Sequence, residues 1–155
     1  MKRTFTVALI AVSQLALAGV AVAPQLSARV LGDSYLVRVA PVDPIDPFRG
    51  AYVALDYPDL HHGDPQSSDQ RGDLYVTLVE ADGVWTAGEW SRRRPDDGPY
   101  LACDDRSWQV RCGIESWFLP QDRARETERL LQDGAVAEIK VDSRGNAAVV
   151  DVRAG

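Results

Sequence analysis

The chain has 155 residues, 45% of them hydrophobic, and a formal net charge of -6. Setting aside Lys2 and Arg3 leaves 15 basic against 23 acidic side chains, a net of -8 for everything downstream. That balance repels phosphate backbones and anionic lipid surfaces and argues against nucleic-acid binding, while the stretch from Pro24 onward, about 130 residues, is one domain's worth of chain with room for a core.

Residues 4 to 28 carry no charge. A bilayer takes about 20 apolar residues at a helical rise of about 1.5 Å. Phe5 to Val22 is long enough, with Ser13 and Gln14 as its only strongly polar interruptions. Cleaved signal peptide, uncleaved anchor and buried soluble helix are the three readings of such a segment. Ala21-Val22-Ala23 fits a signal-peptidase exit, but Pro24 follows at once, and proline is poorly accepted after the cut. Ala16-Leu17-Ala18 would leave a short core. The expectation is an uncleaved signal-anchor or transmembrane helix over residues 1–28 and an extracytoplasmic domain over 29–155. Lys2 and Arg3 keep the N-terminus inside by the positive-inside rule. The protein is then a single-pass protein of the cytoplasmic (inner) membrane, with its C-terminal domain periplasmic or extracellular.

Tyr35 to Ala40 alternates Leu36 and Ala40 against Val37 and Val39 and reads as a strand. Next come Val42-Asp43-Pro44-Ile45-Asp46-Pro47, where the prolines fix φ and force Asp43 and Asp46 to be extended. Gly50 then supplies backbone freedom before a second strand, Ala51 to Tyr57. A period of two puts Val53, Leu55 and Tyr57 on one face and Tyr52 on the other. Residues 58 to 73 form a long polar loop. Leu74 to Val79 and Val84 to Trp90 flank Asp82-Gly83, a hairpin signal. Tyr100 to Asp104 and Trp108 to Ile114 read as another hairpin. From Gln121 to Asp133 the period becomes helical, with Ala124, Thr127, Leu130 and Leu131 on one stripe and Gly134 as the stop. Ala135 to Val141 and Ala147 to Val152 close the chain around a turn at 142 to 146. The fold class expected is α+β, mostly β: a small antiparallel, barrel-like domain of about eight strands with one helix, preceded by the N-terminal helix.

Gly50-x-Tyr52-x-x-Leu55-x-Tyr57 resembles the signature of the bacterial GDYXXLXY protein family. So do Val42-Asp43-Pro44 and Asp46-Pro47-Phe48-Arg49 before it, and Gly113-Ile114-Glu115-Ser116-Trp117-Phe118 later. The resemblance covers roughly residues 30 to 153. It implies one N-terminal hydrophobic segment, a small extracytoplasmic domain and no assigned activity, with a multi-spanning membrane protein as partner. Ala51 stands where the family's name motif has an aspartate, which removes a carboxylate from any role at that position.

Candidate chemistry narrows by elimination. Cys103 and Cys112, nine apart, would lie opposite each other on one hairpin. Outside the cytoplasm they can form a disulfide; otherwise they are two buried apolar thiols. No Cys-x-x-Cys supports a redox role. His61 and His62, beside Asp59 and Asp64, offer too few converging ligands for zinc, though they supply the one possible base of near-neutral pKa. Lys140 shares a face with Glu138 and Asp142 that points to water, so burial would not lower its pKa for Ser/Lys catalysis. No serine sits in a Gly-x-Ser-x-Gly elbow. Arg92-Arg93-Arg94 reads as a solvated loop, and Arg71-Gly72-Asp73 as coincidence. Glu115 interrupts an apolar and aromatic run, so it is either exposed or paired. Arg49 is the candidate partner.

The sequence therefore predicts no catalytic residue, no cofactor and no metal. Arg49, Gly50, Tyr52, Leu55, Tyr57 and Glu115 are expected to be architectural, and Cys103 with Cys112 a candidate bridge. The expected role is a non-catalytic accessory or interaction domain at the membrane. The rivals are a small-ligand module with a pocket lined by Tyr52, Tyr57, Trp85 or Trp117, and a hydrolase carrying His61 or His62 into a cleft.

Overall fold

The structure, a computed structural model, describes residues 2–41, 52–61, 71–107, 109–118, 127, 130–132 and 134–155. Helix α1 runs Lys2–Leu31 and passes through Pro24 without ending. Its segment Leu9–Leu31 is 23 residues with mean hydropathy 1.8, long and apolar enough to cross a membrane. Leu15, Leu17 and Val20 are each more than 70% exposed, so the rest of the protein does not cover them.

Among the described residues eight strands follow: β1 (Asp33–Pro41), β2 (Tyr52–Asp56), β3 (Asp73–Ala81), β4 (Val84–Ser91), β5 (Tyr100–Asp104), β6 (Ser116–Phe118), β7 (Ala135–Val141) and β8 (Ala147–Ala154). They form two antiparallel sheets in the orders β6-β2-β1-β7-β8 and β4-β3-β5. One apolar cluster unites them. Val37, Leu55, Ile139 and Val149 come from the first sheet, and Leu74, Val76 and Leu101 from the second. Tyr35 of β1 meets Trp85 of β4 edge-to-face, centroids 4.9 Å apart, at one margin of this core.

Alternation in the sequence maps directly onto burial. In β7, Ala135, Ala137, Ile139 and Val141 are buried and the residues between them half-buried. The Asp82-Gly83 turn forms as expected, with Ala81 paired to Val84 and φ of 55° and 79° at the two turn residues. Both positive values match the two-residue turns that suit strand twist. Thr127 and residues 130–132 are helical, Thr127 and Leu131 are buried, and Gly134 follows with φ 97°. The remainder of the expected 121–133 helix lies outside the described residues, as do Val42 to Ala51 with Arg49 and Gly50.

Two expectations change. The sheets do not close into a barrel: each described sheet keeps its own edges, and one apolar cluster joins them. Of the strand expected over 108–114, the described residues 109–114 form none. A single bridge, Asp104 to Arg111, is formed there, and the real strand is Ser116–Phe118, paired with β2 rather than β5. The cause is local. Gly113 has φ 85°, and Glu115 accepts hydrogen bonds from the amides of Cys112 and Gly113, so the chain turns where it was expected to extend.

Candidate functional site

The signature strand and the later Gly113–Phe118 segment are neighbours in space. Tyr52 pairs with Phe118, Val53 with Trp117 and Ala54 with Ser116. The Leu55 amide donates to the Glu115 carbonyl at 3.0 Å, which carries the ladder into the turn. Val53, Leu55 and Tyr57 are buried together, as a period of two requires. The side chain of Tyr52 lies outside the described residues.

Tyr57 does more than fill space. Its hydroxyl donates to the Ile114 carbonyl oxygen at 2.8 Å inside the core. Burial, with the negative charge of Glu115 adding to it, pushes the phenol far above its usual range, so it is a neutral donor. Glu115 is half-buried and spends its carboxylate on the amides of Cys112 and Gly113. Those amides are its partners in the structure, whereas Arg49 lies outside the described residues.

The same turn reaches the rest of the molecule. Cys112 is bonded to Cys103 of β5, in the register that the Asp104–Arg111 bridge continues. The Gly113 carbonyl accepts a hydrogen bond from Gln25 Nε2 of α1 at 2.9 Å. Residues 112–115 thus touch the signature strand, the second sheet and the helix at once.

A second joint holds the helix end. Ala28 is fully buried. Ser27 Oγ donates to Asp142 Oδ2 at 2.6 Å, Arg144 Nη2 donates to Ser27 Oγ at 2.8 Å, and Lys140 Nζ reaches the Arg29 carbonyl at 3.3 Å. A side chain on Gly32 would meet backbone of Ala28 and Val141 under 3.0 Å, so the helix leaves the sheet through a gap that only glycine fits. Asp142 is buried, contrary to its expected place beside Lys140 on the wet face. It sits in the β7–β8 turn, and its carboxylate accepts from the amides of Arg144 and Asn146 and from Asn146 Nδ2. Burial opposes its ionisation, but the hydrogen bonds from Ser27, Asn146 and the two amides prevail and hold its carboxyl below the usual range. Gly145 in that turn presses on Tyr100 and Ala102, and its carbonyl accepts from the Ala102 amide at 2.8 Å.

Asp105 is the residue that sequence reasoning passed over. It is 3% exposed and accepts from Arg92 through both oxygens, from the Gly72 amide at 2.7 Å, and lies 3.8 Å from Arg71 Nη1. The Arg92 hydrogen bonds, then that of Gly72, hold its carboxyl far below the usual range. The arginine run is accordingly not just a solvated loop: Arg92 serves Asp105, and Arg94 donates to the Ser143 carbonyl and lies over the Tyr100 ring. No local pattern marked it: Asp105 follows the end of β5 at Asp104 in a polar run, and its burial, which obliges it to find a cation, is decided by the fold.

Two clefts flank the docked helix. One, of about 630 Å³, is lined by Leu31, Asp33, Tyr35, Asp96, Asp97 and Tyr100 among others. The second, of about 310 Å³, is lined by Pro24, Gln25, Tyr75, Arg111 and the disulfide. Neither is lined by Tyr57, Trp85 or Trp117, which pack in or against the core. His61 is exposed and bonds Asp56 at 2.6 Å, and His62 lies outside the described residues. Among the described residues no three His, Cys, Asp or Glu side chains converge as metal ligands.

No curated protein and no solved structure matches this chain. A family model, described as GDYXXLXY protein, matches residues 14–152, which takes in the end of the apolar helix, the signature strand, the 112–115 turn and both sheets. The chain belongs to the GDYXXLXY family.

Proposed function

We propose that the protein is a membrane-anchored, extracytoplasmic and non-catalytic domain that acts as an accessory to a multi-spanning membrane protein. The observation that carries this reading is α1: a 23-residue segment of mean hydropathy 1.8, exposed along residues 9–26, whose last turns are fastened to the domain. Gln25, Ser27 and the Arg29 carbonyl share hydrogen bonds with the folded domain, so the C-terminal end of the helix is continuous with it, and Pro24 directly after the Ala21-Val22-Ala23 exit argues against cleavage there. Lys2 and Arg3 favour an N-terminus inside by the positive-inside rule, and the oxidising side of the membrane suits the Cys103–Cys112 bridge. Hydrogen bonding at the signature residues goes to backbone groups of the protein itself, which is what an architectural motif requires. Membrane fractionation combined with intact-mass measurement tests the anchor: the full 155-residue mass is expected in the membrane pellet. A soluble species lacking residues 1–23 would overturn the reading.

A further inference from the structure

Ser13 and Gln14 are the two strongly polar side chains within the uncharged stretch Phe5 to Val22, and the structure treats them differently. Ser13 Oγ donates to the Leu9 carbonyl one turn back at 2.9 Å, so its need is met within the helix. The Gln14 side chain is exposed and makes no hydrogen bond among the described residues. An amide offers two donors and an acceptor, and hydrocarbon satisfies none of them. Polar groups at membrane depth face protein, and amide side chains there bond across helices.

We infer that Gln14 is the contact point for a hydrogen-bonding transmembrane helix of a different membrane protein. This rests on the reading of α1 as a membrane span. Ala11 and Ala18 lie three residues before and four after Gln14, on the same face at 3.6 residues per turn. Their small side chains let a second backbone come close. Eleven residues on, the same face reaches Gln25, which is held to Gly113 of the domain. The domain therefore occupies the lower end of this face. A second copy approaching through it would bring its own domain to the same place, whereas a helix without such a domain at that height meets no obstruction. The occupant is thus a foreign helix offering a hydroxyl or amide level with Gln14.

The test uses the full chain in membranes of its own host, with a photoreactive benzophenone side chain at Ala18 or, as a control, at Ala16, which lies on the opposite side of the helix. Illumination should give one discrete adduct from position 18, of a mass other than twice the chain, and at least several-fold less from position 16. Gln14→Leu should cut that adduct by about threefold to tenfold, the range of one interhelical hydrogen bond, while fractionation and an intact disulfide show that the variant is inserted and folded. An adduct of twice the chain mass, equal labelling from both positions, no adduct, or a yield unchanged by Gln14→Leu would each overturn the inference. A chain found soluble without residues 1–23 would instead overturn the membrane reading on which it stands, and fractionation tells the two failures apart.

Discussion

Leu55 is 3% exposed and sits where the signature strand meets the shared core. Leu55→Ala should cost about 2 to 5 kcal/mol, from lost burial and the cavity left behind. Denaturant unfolding of the β domain in detergent measures it, and a loss under about 1 kcal/mol would refute the architectural role. Tyr57 tests the polar half of the same motif. Tyr57→Phe keeps the ring but strands the Ile114 carbonyl, at a cost of about 1 to 3 kcal/mol. The sign with pH follows from a phenol whose folded pKa is raised. Its contribution is complete below the unfolded value of about 10 and is lost as the solution becomes more alkaline. Wild type should therefore lose stability above about pH 10 and Tyr57→Phe should lose less. The apolar half of this arrangement is legible from alternation alone, but the hydroxyl's partner is 57 residues away and no local pattern names it.

At the scale of elements, the turn at 112–115 is where sequence reading and structure part. A hairpin was expected after β5, and that register does place Cys103 across from Cys112. The extended pairing did not follow, because Glu115 satisfies its own turn's amides instead of leaving them to a ladder. The disulfide encloses about ten residues and should contribute roughly 2 to 3 kcal/mol in the chain-entropy model. Protein isolated from an oxidising compartment should show no thiols on denaturing, non-reducing titration. Replacing both cysteines by alanine should lower stability by that amount. Two titratable thiols in the parent would refute the bridge as a feature of the mature protein.

Across the whole molecule, buried carboxylates tie together segments far apart in sequence. Asp105 joins the start of β3 to the end of β4, and Asp142 joins the β7–β8 turn to the end of α1. Both have folded pKa values below the ordinary range. Their contribution is present above the unfolded value of about 3.9 and is lost as pH falls through the folded values. Stability should thus decline progressively below about pH 4. Asp105→Asn should be less stable at neutral pH and show a flatter acid limb. An acid limb unchanged by Asp105→Asn would show that the pair with Arg92 does not contribute.

What the sequence determined by itself was everything carried by short-range periodicity and composition. The apolar helix, the alternating strands, the Asp82-Gly83 turn and the buried side of the signature strand depend on neighbours within a few residues, and side-chain period alone sets which face is apolar. Tertiary structure decided the rest. That β2 pairs with Ser116–Phe118, that two sheets share a core without closing, and that Asp105, Asp142 and Gln25 bridge distant segments are outcomes of long-range competition for hydrogen bonds. A buried polar group must find a partner wherever the folded chain brings one, and the spacing of residues along the sequence does not record where that will be.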